Sequence, residues 1–285
     1  MIVSTVPAGS WHQECCRKAV QVLGIVVLAA VGHAATLDVR AIIQRSVTAN
    51  EMDWKAAPNY SFVERDVEAK GGRQTTKTYQ VLMIEGSQYN KVIAINDKPL
   101  ASAQQAQEEK KLQQEITHRH GESSGDRTKR VAKYNRERQQ DHAMLQEMAN
   151  AFDFKLVGEQ KVNGREVWVL DATPRKGYQP KSRDARVLTG MRGKLWVDKR
   201  EFQWVKVEAE VFRPISFGLF FAKVRVGTRL TLEQAPVSTS VWFPRHFRVD
   251  LTTSILGYGR HSIDDETYRD YRPNSSPSIA QVPTH

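Results

Sequence analysis

The alternation of apolar and charged residues over 193–251 constrains this chain more than any other feature. From 205 to 211 the odd positions are Val205, Val207, Ala209 and Val211, and the even positions between them are Lys206, Glu208 and Glu210. A period of two belongs to a pleated strand, whose successive side chains point to opposite faces, so this stretch predicts a sheet with one dry and one wet face. Ala222, Val224, Val226, Leu230 and Leu232 carry the pattern on at even positions, alternating with Lys223, Arg225 and Arg229. Trp204 has the parity of Lys206 and Glu208 and is expected on the outer surface, with Trp168, Trp196 and Trp242 in the core. Between the two alternating stretches, 215–221 reads Ile-Ser-Phe-Gly-Leu-Phe-Phe, placing Phe217, Leu219, Phe220 and Phe221 where turn residues are expected. Such a lip either folds back to cap the core or marks contact with a membrane, a partner or a cargo.

The remaining chain supports a single domain with one insertion. Arg17 and Lys18 precede a 13-residue apolar run over 19–31, and Gly32-His33-Ala34 supplies small residues for cleavage, the arrangement of a secretory signal peptide over 1–34. The run is shorter than the roughly 20 residues of a spanning helix, so an uncleaved inner-membrane anchor is the lesser alternative. Both cysteines, Cys15 and Cys16, fall within this leader, and the mature domain over 35–272 must be held by its core without disulfides, which favours a bacterial periplasm. Val39, Ile42, Ile43 and Val47 recur at helical spacing behind Thr36 and Asp38 and predict an amphipathic helix to about 50. Strands follow over 60–67, 75–85 and 89–95. A polar, helical insertion occupies about 101–152, broken over 120–126. Strands resume at 154–162, turn at Asn163-Gly164 and continue at 166–173; 174–190 reads as a basic loop. A last strand over 259–271 precedes a tail over 273–285 rich in serine and proline, read as disordered. The total is nine to eleven antiparallel strands. A sheet of that size curls.

The chemistry-bearing motifs yield no catalytic constellation. Gly121-Glu122-Ser123-Ser124-Gly125 matches a nucleophile elbow, but that reaction needs a buried strand feeding the serine, and charged, helix-forming sequence lies on both sides. His118, His120, Glu122 and His142 could collect a metal in principle, but the H-x-H spacing suits a strand better than the end of a helix, and the stretch reads as a solvated polar turn. Asp198, Asp250, Asp264, Asp265 and Glu266 fall at turns or on polar faces, where charge is expected without catalysis. The reading is of a non-enzymatic protein with no cofactor and no metal. A formal charge of +10 attracts anionic partners. With no nucleic-acid-binding module in view, export points to lipid headgroups, for which Lys223 and Arg225 beside the lip are candidates. The basic helix face at Lys129, Arg130 and Lys133 is a second candidate, for a headgroup or an envelope protein.

The order of elements, together with Gly193-Lys194-Leu195-Trp196-Val197-Asp198 returning through 205–211, resembles the outer-membrane lipoprotein-sorting proteins of the LolA/LolB-like half-barrel superfamily, which includes sigma-factor regulators of the RseB type. The resemblance covers most of the mature chain. It implies an α+β fold, with a large curved antiparallel sheet whose concave face is packed with helices, and an apolar cavity that takes lipid or lipoprotein acyl chains without catalysis. The inward-facing candidates are then Val205, Val207, Ala209, Val211, Val224 and Val226, with Phe217, Leu219, Phe220 and Phe221 at the mouth. The function expected is a periplasmic carrier or sensor touching the membrane transiently. The alternative is an envelope-stress regulator or assembly factor that binds another protein and carries no lipid.

Overall fold

The structure, a computed structural model, describes residues 38–217 and 222–274. The expected leader, the residues Leu219, Phe220 and Phe221 of the lip, and the tail from 275 on lie outside the described residues. Helix α1 (Val39–Ala56) is capped by Asp38, whose carboxylate accepts from the Arg40 amide at 2.9 Å. A 3₁₀ turn at Ala57–Asn59 delivers the chain into a meander of β1 (Tyr60–Lys70), β2 (Arg73–Ile84), β3 (Ser87–Ile95) and the short β4 (Lys98–Pro99). Two long helices follow, α2 (Ser102–His120) and α3 (Ser124–Ala151). Strands β5 (Phe152–Val162), β6 (Arg165–Pro174), β7 (Met191–Asp198) and β8 (Trp204–Val211) come next. The ribbon β9 (Ile215–Phe217) and β10 (Ala222–Val224) precedes β11 (Arg229–Pro236), β12 (Trp242–Ile255) and β13 (Tyr258–Pro273).

The fold is α+β, a large open antiparallel sheet of half-barrel type with helices against one face. It has 13 strands rather than nine to eleven, because the start of the lip, Ile215–Phe217, pairs as β9 with Ala222–Val224 as β10, and β4 adds a two-residue edge. The stretch read as one strand from 222 to 232 is two, separated by a turn in which Gly227 takes φ 94°. The basic loop over 174–190 contains a 3₁₀ helix, Asp184–Gly190, whose Ala185 and Leu188 are buried.

Strand order runs β4-β3-β2-β1-β13-β12-β11-β8-β7-β6-β5. The N-terminal meander therefore sits beside the C-terminal hairpin, and β4 and β5, consecutive except for the helical insertion, form opposite edges. The α2–α3 hairpin bridges those edges. With 28 residues, α3 is about 42 Å long. Nine interstrand steps from β3 to β5 follow a curved contour of about 43 Å, so this helix is long enough to reach from one edge to the other.

One end of the strap is latched by arginines. Arg119 of α2 is buried, pairs with Glu115 at 2.6 Å and donates to the carbonyls of Ile84 and Ser87 at 2.8 and 2.9 Å. Arg130 of α3 donates to the Ser87 hydroxyl at 2.6 Å and forks onto Glu122. Two guanidiniums thus grip the β2–β3 turn. At the other end His142 stacks on Trp54 of α1 with ring centroids 4.3 Å apart, and Arg138 lies over the same indole at 4.6 Å.

The core lies under α1. Ile42 and Ile43 pack on Trp168, Leu170, Leu195, Val197, Trp204 and Val207. A second cluster joins Ala151, Phe152, Leu188, Met191, Val211 and Ile215. A third lies on the opposite face of the sheet and contains Val167, Val169, Trp196, Val205 and Trp242. Strands β6 to β8 are therefore dry on both faces near their β6–β7 end.

This third cluster corrects two expectations. Pairing runs Trp196 to Lys206 and then Val197 to Trp204, so Val205 bulges out of register. A bulge reverses parity beyond it. Val205 consequently faces away from Val207, Ala209 and Val211, and Trp204 turns inward, buried, its indole N–H donating to the Ser46 hydroxyl of α1 at 3.1 Å.

Candidate functional site

The helix-facing side of the sheet can be followed row by row through the pairing. One row runs Leu170, Leu195, Val207, Leu232, Phe247, Glu266, Asp66, and the next runs Ala172, Gly193, Ala209, Leu230, Val249, Asp264, Glu68. Both rows are apolar as far as β12 and acidic from β13 onward. Helices α1 and α3 cover the β5–β8 portion closely. Between Ile43, Met148, Phe154, Leu195, Trp204 and Val207 they leave a cavity of about 30 Å³, room for a water molecule and not for a chain of methylenes.

Beyond that cover lies an apolar floor that the helices do not seal. Leu230, Leu232, Phe247, Val249 and Leu251 are half-buried, and Val224 continues the floor toward the ribbon. Phe247, Val249 and Leu251 alternate with His246, Arg248 and Asp250, so the period-two signal for this floor stands in the sequence, although the candidates named from it stop at β8 and β10.

The acidic side is unusual electrostatically. Burial, reinforced by the charges of Glu266 and Asp66, pushes the Glu64 carboxyl up to about 7. Burial also raises Glu266 and Asp66, each next to further carboxylates. Tyr268 donates its hydroxyl to Glu266, and burial drives both Tyr268 and Tyr271 above the ordinary phenol range. Phe62 packs between these two rings, 6.0 and 5.1 Å from them. The floor is thus bounded by several carboxyls raised above the ordinary range and by phenols; near neutral pH Glu64 is half-protonated and can donate a hydrogen bond where a bare carboxylate could not.

The residues expected from sequence are not brought together as a set. Val207, Ala209, Val211 and Val224 share the helix-facing side; Val205 lies on the other side, and Val226 is 54 % exposed in the turn after β10. Phe217 pairs its backbone with Ala222 at the end of the ribbon. Lys223 and Arg225 are exposed beside it. On α3, Lys129 and Lys133 are exposed and pair with Asp126 and Glu137 of their own helix, whereas Arg130 points inward to the latch and is not available to a headgroup or partner.

The remaining motifs are structural. Ser123 is the N-cap of α3, its hydroxyl accepting from the Asp126 amide at 3.2 Å and donating to the Asp126 carboxylate at 2.8 Å. His120 Nδ1 bonds the Ile116 carbonyl at 3.1 Å, Glu122 holds Arg130, and His142 is buried against Trp54. Among the described residues no group of three or more His, Cys, Asp or Glu side chains could hold a metal. In the stretch from Gly193 to Asp198, a Cβ on Gly193 would stand 2.1 Å from the Glu208 carbonyl oxygen, so glycine permits the β7–β8 approach. Asp198 accepts from the amides of Arg200 and Glu201 at 2.9 and 2.7 Å and shapes the turn after β7.

These features define a class: an open antiparallel sheet strapped edge to edge by a helical hairpin, with a partly covered apolar inner floor. No family model and no curated protein matches the chain. Solved structures similar to it include a DUF1329 family protein from Desulfovibrio piger, 14% identical over 85% of this chain and 95% of that one, with TM-score 0.33. A domain from Vibrio parahaemolyticus described as an outer-membrane lipoprotein-sorting protein is 12% identical over 82% and 94%, TM-score 0.33. A LolA superfamily protein from Nitrosomonas europaea is 12% identical over 84% and 94%, TM-score 0.32. The superfamily that the sequence resembles is represented among these structures. At such TM-scores the likenesses carry no argument, and function must be read from the chain's own geometry.

Proposed function

We infer that this chain is a non-enzymatic periplasmic carrier or sensor that lays an acyl chain of a lipid or lipoprotein along the inner floor of the sheet. One observation carries the reading: Leu230, Leu232, Phe247, Val249 and Leu251 form a contiguous apolar strip on the helix-facing side, next to the portion that α1 and α3 cover, and remain half-exposed. Burying each methylene of a cargo there contributes about 0.8 kcal/mol. The Glu64 carboxyl, half-protonated near neutral pH beside this floor, would donate to a carboxyl or ester oxygen at the end of the chain. Export by the leader over 1–34 belongs to this reading. Sequencing the N-terminus of the protein recovered from periplasm tests it, with cleavage after Ala34 expected.

The cargo test uses protein purified from its own periplasm. Native mass spectrometry should show bound lipid, and fatty acid should displace an anilinonaphthalene probe. Phe247→Asp should weaken probe binding more than tenfold, a charge having entered the floor. Thr231→Asp, at a register position on the opposite face, should leave it unchanged. Protein that carries no lipid and whose probe is not displaced by fatty acid would sink the carrier reading.

A further inference from the structure

The end of the β12–β13 hairpin carries Ile255, Leu256 and Tyr258, exposed by 40 %, 66 % and 78 %. Lys70, at the β1–β2 turn, pairs with Ser262, so the hairpin runs four residues further, about 13 Å beyond its β1–β2 neighbour. The turn chemistry singles out this end. Five two-residue turns of the sheet have positive φ at both positions: Gly71-Gly72, Glu85-Gly86, Asn96-Asp97, Asn163-Gly164 and Leu256-Gly257. Left-handed backbone favours glycine, asparagine and aspartate. Four of the turns begin with glycine or a polar residue, and the fifth begins with leucine at φ 50°. Neither the turn nor the core asks for leucine at 256.

The surroundings are cationic. Lys70, Arg73, Lys223, Arg225 and Arg260 are exposed at this end, and none forms an ion pair among the described residues. Arg65, Lys91 and Arg192 elsewhere on the sheet each face a carboxylate, and other strand cations such as Lys77, Lys155 and Arg245 stand singly; what marks this end is five such cations gathered around one apolar tip. An open recess of about 830 Å³ between the β1–β2 turn and the hairpin end is lined by Lys70, Arg73, Leu251, Ile255 and Arg260. Apolar tip and cation collar together are the chemistry of an anionic interface, where tyrosine sits at headgroup depth and basic side chains take the phosphates.

We propose that this end of the sheet docks on the surface of a bilayer containing anionic phospholipid, with Leu256 and Tyr258 entering the headgroup region and the five cations around them. A second copy of the chain would fit worse, since both collars would meet like charge to like charge. The proposal stands apart from the cargo reading, because docking is measured without cargo.

The full chain is mixed with phosphatidylcholine vesicles, with or without phosphatidylglycerol, and followed by sedimentation and hydrogen exchange. Expected are binding that requires phosphatidylglycerol and weakens with salt, and slowed exchange of amides over 252–262 on binding. Leu256→Asn with Tyr258→Ser should lower partitioning at least tenfold. Lys70→Gln and Arg260→Gln should each lower it about fivefold. Leu256→Asn relieves the turn, so loss of binding in that variant is not loss of fold. Equal binding to both vesicles overturns the proposal. So does a bound chain whose 252–262 amides stay unprotected, as docking through the apolar 19–31 run would give. Protection that appears without vesicles as concentration rises overturns it in favour of self-association.

Discussion

Glu64 shows how far a single side chain's environment departs from what its letter in the sequence says. Its carboxyl keeps a proton up to about pH 7 in the folded chain, against about 4.3 for an unfolded glutamate. The folded-state value is raised, so the stability tied to this proton is complete below the unfolded value and is lost as pH rises through 7. Glu64→Gln should therefore leave the melting temperature unchanged at pH 4 and add about 1–2 kcal/mol at pH 8, discounted for partial exposure; thermal melts at both pH values check this. Leu256→Asn should stabilise the chain by about 1 kcal/mol, because asparagine tolerates the left-handed turn that leucine resists. Chemical denaturation reads that gain. Trp204 and Val205 mark where residue-level reading fails: the alternation gives a strand correctly, but one bulged residue exchanges the faces of both side chains. Bulges leave no mark in a period-two pattern, because the extra residue is defined only by its partner strand.

Among elements, the helical hairpin is the one whose attachment determines what the inner face can do. Arg119→Ala would remove the donor to two buried carbonyls and strand Glu115, at a cost of about 3 kcal/mol. Arg119→Lys would recover only part of it, lacking the fork whose Nε holds Glu115 while Nη1 reaches the Ile84 and Ser87 carbonyls and Nη2 that of Gln88. Denaturation curves with exchange rates for α2 and α3 would show whether the latch alone loosens. The other attachment is sensitive to acid. Burial lowers the His142 pKa; Arg138 and Lys55 oppose its protonation and Glu51 favours it. A depressed value means stability is present above about 6.5 and lost as pH falls below it. Among the described residues neither ring nitrogen has a hydrogen-bond partner, so His142→Phe should keep the stack on Trp54, add about 1 kcal/mol and abolish the acid-dependent loss. Both helices were legible from composition and spacing, and Ser123 was legible as a loop residue beside a helix. The latch was not, since Arg119 and Arg130 look like any solvated cations until the β2–β3 turn is placed against them.

For the molecule as a whole, burial is uneven across the sheet. Strands β6, β7 and β8 are dry on both faces around Val167, Leu170, Trp196, Val197 and Val205, whereas β1 and β13 carry half-exposed acids inward. Amide exchange should accordingly be slowest in β6–β8, approaching the global unfolding limit, and faster by orders of magnitude in β1–β3 and in the strap. Residue-resolved exchange checks the order; uniform protection across all strands would contradict it. The same unevenness bears on cargo. The covered half leaves about 30 Å³ and the open half offers the floor on β11 and β12, so a cargo of the proposed kind would have to enter on the open half or lift the strap.

Local chemistry in the sequence determined where strands, helices and turns fall, because alternation, helical spacing and Asn163-Gly164 act between residues a few positions apart. Tertiary structure alone decided that β1 lies beside β13 and that the α2–α3 hairpin joins opposite edges. Those facts depend on pairing between residues some 200 positions apart, which no local pattern encodes and which only the closing of the whole sheet around its helices selects.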